Sequence, residues 1–394
     1  MERYQQEFRP PQRLLMGAGP CNVHPRVIQA MSASLLGHMD PDFIQVLDDV
    51  SSMLRIVFKT ENAVTWQVSG TGTAGMEAAL VNVLEPGDTI VIGDNGYFAG
   101  RLSEIASRTG ANVVQVRHDL GEPVDADRVR AELKRHAKVK AVAVVHAETS
   151  TGALTPIPAL AEAAHEAGAL LIVDAVTSLG GVELRVDDWG VDVCYSGTQK
   201  CLACPPGLSP ITFSERAVSV LESRTTPVQS FYLDMTQLRS YFAMRAYHHT
   251  APITMIYGLR EGLRVLLEEG VEERWARHRK AASALWAGVE AIGLELFAPE
   301  EHRLPSLAAI RVPDGVDATG VRKRLLDEHA IEISSGLASL ADSVWRVGLM
   351  GYNATAANVF RFLSALEDAL LAQGFELPAG ASLAAAQKSL RHAD

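Results

Sequence analysis

Lys200 closes the stretch Val191-Asp-Val-Cys-Tyr-Ser-Gly-Thr-Gln-Lys200, a short apolar run that breaks into small polar residues. Pro205-Pro206-Gly207 follow and bar a helix there, because proline lacks an amide hydrogen and crowds the preceding turn. The lysine is therefore expected in a turn beyond the carboxyl end of a strand. A second apolar run, Ala169 to Asp174, ends in the same way on an aspartate, about one strand–helix–strand step earlier. A carboxylate at the end of such a run is costly without a cationic partner. Its competing use is as the cap of a following helix, and Ser178 either assists phosphate binding or caps the same turn. An acid and a lysine delivered to one edge of a parallel sheet suit pyridoxal phosphate: the amine holds the aldehyde, and the acid pairs with the pyridine nitrogen.

Other stretches could complete such a site. Ser69-Gly-Thr-Gly-Thr-Ala-Gly75 lies between a strand pattern and a helix pattern. Amide groups at a helix N-terminus bind phosphate, and Thr71 and Thr73 add hydroxyls beside Gly72. The same residues fit the dinucleotide pattern through Gly70, Gly72 and Gly75, with Asp94 near the expected acidic position. A nicotinamide-dependent dehydrogenase is thus a competing reading, although it gives no reason for the Asp174/Lys200 pair. Phe98, after another strand end, either lies on a planar ring or belongs to the core. In His146-Ala-Glu-Thr-Ser-Thr-Gly152, Thr149 could bond a ring oxygen, and His146 is equally readable as a buried, satisfied histidine. Arg346, within Val344-Trp-Arg-Val-Gly348, is either a bidentate clamp for a substrate carboxylate or one arm of a structural ion pair. Cys201 and Cys204 have CxxC spacing, but no second pair completes a zinc site, so they read as packing residues and no metal is expected.

These residues need a scaffold, and the pattern of the chain supplies one. Strand candidates are Ala63–Val68, Thr89–Gly93, Asn112–Val116, Ala141–His146, Leu170–Asp174, Val191–Tyr195 and Leu208–Phe213. Helix candidates Ala74–Leu84, Gly96–Arg108, Asp125–Lys138 and Pro158–Ala167 fall between most of them. Nearly continuous apolar strands separated by helical patterns predict an α/β fold, with a mostly parallel sheet sandwiched by helices. The last strand is expected to be out of order or antiparallel. Residues 222–250 are polar and aromatic, long helices are expected from about Pro252 past Glu268 and from Arg274 to Ala291, and smaller α and β elements follow. The expected division is an arm over residues 1–16, a large cofactor-binding domain over 17–268 and a small α+β domain over 269–394.

The 394 residues carry a net charge of −11, which disfavours nucleic acid as a partner. Apolar residues make up 47% and charged residues 21%, ordinary for a globular enzyme. No apolar run reaches membrane-spanning length, and the stretch from Met1 to Arg13 is polar, without an export segment. Four cysteines suggest no disulfide framework, so a reducing cytoplasm is the expectation.

Taken together, these motifs resemble the class V, fold-type-I pyridoxal-phosphate aminotransferases of the alanine/serine–glyoxylate group. The resemblance rests on Glu85-Pro-Gly-Asp88, Val173-Asp-Ala-Val-Thr-Ser-Leu-Gly180, Tyr195-Ser-Gly-Thr-Gln-Lys200, Pro205-Pro-Gly207 and Tyr247-His-His-Thr250. It implies that Lys200 carries the cofactor, Asp174 meets the ring nitrogen, Thr149 the ring hydroxyl, and Phe98 the ring face. It implies further that Thr71, Gly72, Thr73 and Gln199 hold the phosphate. Tyr247 and Thr250 would reach the phosphate of a neighbouring subunit in a homodimer, and Arg346 would clamp the substrate. Mammalian relatives carry tryptophan at the Phe98 position and histidine at the Thr73 position. The activity implied is transamination from alanine or serine to glyoxylate, with serine–pyruvate, (S)-ureidoglycine–glyoxylate and 3-hydroxykynurenine transamination as variants on one framework. The related cysteine desulfurases need a catalytic cysteine in the second half of the chain, and none follows Cys204.

Overall fold

The computed structural model describes residues 2–392. The first long helix, α1 (Pro41–Phe58), is set by its own sequence. The Asp40 carboxylate accepts from the Asp42 N–H at 2.9 Å, Pro41 occupies the first turn, and Lys59 ends the helix in the left-handed region. Phe43, Leu47, Val50 and Leu54 recur on one face and are buried. Burial of each contributes roughly 2 kcal/mol, so packing rather than propensity holds the helix.

The regular alternation follows: β1 (Val64–Ser69), α2 (Gly72–Val83), β2 (Thr89–Asp94), α3 (Tyr97–Arg108), β3 (Asn112–Arg117), α4 (Ala126–Leu133), β4 (Ala141–Val145), α5 (Pro158–Glu166), β5 (Leu170–Asp174), β6 (Val193–Tyr195) and β7 (Leu208–Phe213). The strands form one seven-stranded sheet in the order β1-β7-β6-β5-β4-β2-β3. β7 is antiparallel to both its neighbours, as expected, and the other pairings are parallel. β4 and β5 are buried along their whole length, which explains their unbroken apolar runs.

No helix separates β5 from β6. Turns fill residues 175–192, with Gly180 and Gly190 in the left-handed region. The strand–helix–strand step expected there is therefore a strand–loop–strand step. The helix that Asp174 was to cap does not exist; its carboxylate caps a turn instead, accepting from the Val176 N–H at 2.8 Å.

Beyond β7, α6 (Ile253–Glu269) and α7 (Val271–Ala291) lead to a three-stranded antiparallel sheet. It contains β8 (Leu307–Arg311), β9 (Ser334–Ser335) and the central strand β10 (Val344–Gly348). α8 (Ala356–Leu371) and α9 (Ala381–His392) pack nearby. Two main apolar clusters result. One surrounds the large sheet and includes Leu54, Ile172 and Leu263; the other includes Leu285, Ile310, Trp345 and Phe362. Leu14 and Met16 belong to the second, and Leu14–Leu15 pairs in parallel with Ile331–Glu332.

All parallel strands of the large sheet end at one edge. The residues after β1, β2, β4, β5 and β6 therefore converge, as the carboxyl edge of an open α/β sheet requires of a binding site. In β10, Arg346 pairs with Ala309 on one side and Ser334 on the other.

Candidate active site

A cavity opens at that edge, lined by residues that include Thr71, Gly72, Thr73, Phe98, Thr149, Asp174, Gln199 and Lys200. Ser178, Tyr247, Thr250 and Arg346 do not line it.

Thr71 is the N-cap residue of α2 in extended conformation, and its side chain makes no capping bond. Gly72 and Thr73 line the cavity, and their first-turn amides are those a helix leaves without internal partners. Gly72 is required by close packing: a Cβ there would lie 2.9 Å from Val176, in the turn after Asp174. The Gln199 Oε1 atom is buried and has no hydrogen-bond partner.

Asp174 is 3% exposed. Burial pushes its carboxyl up to about 6, opposed by the Val176 amide, the Tyr195 hydroxyl, Lys200 and Arg101. Lys200 lies in the turn beyond β6, as expected, and its Nζ donates to the Ala18 carbonyl. Burial, with Arg346 second, brings its ammonium down to about 8. Gly19 passes over this lysine at φ +97°, and a Cβ there would lie 2.6 Å from the lysine Cδ. The N-terminal segment thus roofs the amine.

Phe98 lies in the first turn of α3, where Glu148 fixes the backbone. The Phe98 N–H donates to Glu148 Oε2 at 3.1 Å, and the Ser150 N–H and hydroxyl donate to Oε1. Thr149 is the next residue and faces the cavity. Arg346 is buried; its Nε donates to the Ser335 carbonyl at 2.7 Å and its Nη1 to the Thr149 carbonyl at 3.4 Å. Neither partner is a carboxylate, and the electrostatic influence of Glu148 on it is favourable.

Ser178 is fully buried, and His146 is its partner at 3.0 Å. Burial lowers the imidazole to about 4, so His146 is a neutral, satisfied histidine behind the site. Tyr247 and Thr250 are exposed. Cys201 and Cys204 are free, buried and raised to about 11 and about 12 by burial, consistent with packing residues. Sequence reasoning missed Arg101, Glu148 and Tyr195. Arg101 lies three residues beyond Phe98, on the same helical face, and that spacing was the available signal.

The donor set fits pyridoxal phosphate. An unpaired helix terminus faces one part of the cavity, a buried carboxylate stands on its wall, and an amine of lowered basicity shares the space. Comparison with known proteins agrees. Residues 14–362 match the family described as aminotransferase class-V. The chain is 42% identical to an alanine–glyoxylate aminotransferase of Rattus norvegicus over 91% of this chain and 88% of that one. A solved alanine–glyoxylate aminotransferase from Nostoc sp. superposes with a TM-score of 0.91 at 48% identity, covering 94% of this chain and 99% of that one. A ureidoglycine–glyoxylate aminotransferase from Bacillus subtilis superposes at 0.96 with 42% identity, covering 98% and 100%. The chain belongs to the class-V aminotransferases, pyridoxal-phosphate enzymes of fold type I.

Proposed function

We propose that this enzyme moves the amino group of a small amino acid, alanine or serine, to glyoxylate, giving glycine and a 2-oxo acid. The observation that carries the proposal is the meeting of Lys200 and Asp174 in one cavity beside a free helix N-terminus. Relatives named for glyoxylate as acceptor support the choice of that acid.

In this reading the α2 amides, Thr71, Thr73 and Gln199 hold the phosphate. Asp174, kept ionised by Tyr195 and Val176, pairs with the ring nitrogen, and Thr149 takes the ring hydroxyl. Phe98 covers a ring face and limits its tilt. The bound cofactor supplies an electron sink for the electrons of the Cα–H bond. Lys200, with basicity already lowered by burial, takes the Cα proton as a free amine and returns a proton on the cofactor side. Arg346 fixes the substrate carboxylate as a bidentate fork, which aligns the Cα–H bond with the lysine. Ala18 and Gly19 keep water away from the amine on the N-terminal side.

(S)-Ureidoglycine is a second reading for the donor, supported by the Bacillus subtilis structure, which aligns over the whole of its own length. A panel of alanine, serine, ureidoglycine and 3-hydroxykynurenine, each assayed with glyoxylate and with pyruvate, decides. Alanine or serine with glyoxylate should give the largest kcat/KM. A panel led by ureidoglycine, or by pyruvate as acceptor, overturns the first reading. Lys200→Ala should abolish turnover with every donor.

The division of the chain near residue 268 is likewise our reading, supported by two main apolar clusters that part a little later, between Trp275 and Ala281; limited proteolysis tests it. We place the enzyme in the cytoplasm as a homodimer. Four free, buried cysteines support the compartment, and exposure of Tyr247 and Thr250 away from their own cavity supports a partner's site as their destination. Cell fractionation tests the first and sedimentation the second.

A further inference from the structure

We propose that Arg101 is the cation that holds the cofactor's phosphate, an assignment that rests on the cofactor reading above. Among the cavity-lining residues the cations are Lys200 and Arg101. Lys200 is committed to the aldehyde and the Cα proton. A phosphate monoester with a second pKa of about 6 is close to a dianion at neutral pH. A helix N-terminus contributes roughly half an elementary charge, so α2 alone leaves most of the phosphate charge uncompensated in a partly enclosed site. Arg101 is placed to supply the rest.

The geometry specifies where its charge goes. Arg101 Nη1 donates to Thr73 Oγ1 at 3.2 Å, which ties the guanidinium to the second residue of α2. Its carbon lies 5.0 Å from the Phe98 ring centroid and 5.4 Å from that of Tyr97. These contacts favour a planar cation on an aromatic face and restrict the side chain to the cavity wall. Among the described residues no carboxylate forms an ion pair with Arg101, so its donors remain available to an anion. Arg101 lines the same cavity as Asp174, which places it on the cofactor side of α3. Phe98 and Arg101 stand three residues apart, so one helix face presents a ring contact and a phosphate contact together. Glu148, by holding the Phe98 amide, anchors both.

The test compares two ligands that differ by the phosphate. Apoprotein of the wild type, Arg101→Gln and Arg101→Lys is titrated with pyridoxal phosphate and with pyridoxal, following absorbance and thermal midpoint. The proposal predicts that R101Q weakens pyridoxal phosphate roughly tenfold or more, while pyridoxal changes less than about twofold. R101K should fall between, because a lysine keeps the charge and loses the fork. Inorganic phosphate should raise the midpoint of the wild-type apoprotein more than that of R101Q. Equal losses for both ligands, or no loss for either, overturn the assignment while leaving the cofactor reading intact. A wild type that takes up neither ligand overturns the cofactor reading itself.

Discussion

Tyr195 stands level with Asp174 on the adjacent parallel strand, and its hydroxyl donates to Asp174 Oδ2 at 2.8 Å. Both side chains are buried. A donor to the ionised form favours ionisation, so the phenol counteracts the burial that raises this carboxyl to about 6. Tyr195→Phe keeps the ring and removes the donor. Asp174 should then ionise at higher pH, the acid limb of cofactor binding should move the same way, and affinity at pH 7 should drop about tenfold. Titration of the apoprotein with pyridoxal phosphate across pH 5 to 8 reads both effects; an unmoved acid limb contradicts the role given to Tyr195.

Glu148 accepts from the Phe98 amide and from Ser150, and a Cβ on Gly96 would lie 2.5 Å from its Cγ. Glu148→Gln turns an amide toward donors that now meet a carboxylate. It should cost about 1–3 kcal/mol of stability and loosen the start of α3. Gly96→Ala should act in the same direction by displacing the carboxylate. Urea denaturation of the apoproteins measures both, and stabilities equal to wild type would contradict the anchoring.

Lys200 must be neutral to attack an aldehyde, and burial brings its ammonium down to about 8. Because this pKa lies below the usual lysine value, the neutral fraction grows as pH rises through about 8 rather than through the alkaline range of an exposed lysine. The rate of cofactor uptake by apoprotein should therefore climb between pH 7 and 9 and level off above. Stopped-flow absorbance gives the profile. A rate still climbing tenfold per unit at pH 10 would mean an unperturbed amine.

Arg346 is buried and bonded to two carbonyls, leaving guanidinium donors for a carboxylate. Arg346→Lys should raise KM for the amino donor on the order of tenfold and lower kcat less, because a point charge replaces a fork. Cofactor affinity should stay near wild type. Steady-state kinetics with alanine as donor separates the two; a change confined to cofactor binding would remove Arg346 from the substrate side.

The large sheet is legible in the sequence because its strands are short, apolar and bounded by turn residues. Leu170–Asp174 and Leu208–Phe213 have the expected bounds. Helix α1 carries every signal of a helix, with Asp40 as cap, Pro41 first and Phe43, Leu47, Val50 and Leu54 on one face, yet the helix candidates start only after it, at Ala74. The loop between β5 and β6 reads as a helix by length alone; its glycines at positive φ decide otherwise. Lys200 and Asp174 are legible because a polar group ending an apolar run marks a strand end. Tyr195 is not, since its bond to Asp174 depends on strand register. Arg101 and Glu148 depend on how the start of α3 docks against the loop after β4. Ser178 illustrates the converse: a hydroxyl near a site in sequence whose partner is a buried histidine.

The central claim is that Lys200 bears the cofactor. Holoprotein reduced with borohydride and digested should yield one phosphopyridoxyl peptide, carrying the modification on Lys200. A modification on any other lysine, or none on protein that has taken up pyridoxal phosphate, would contradict the account.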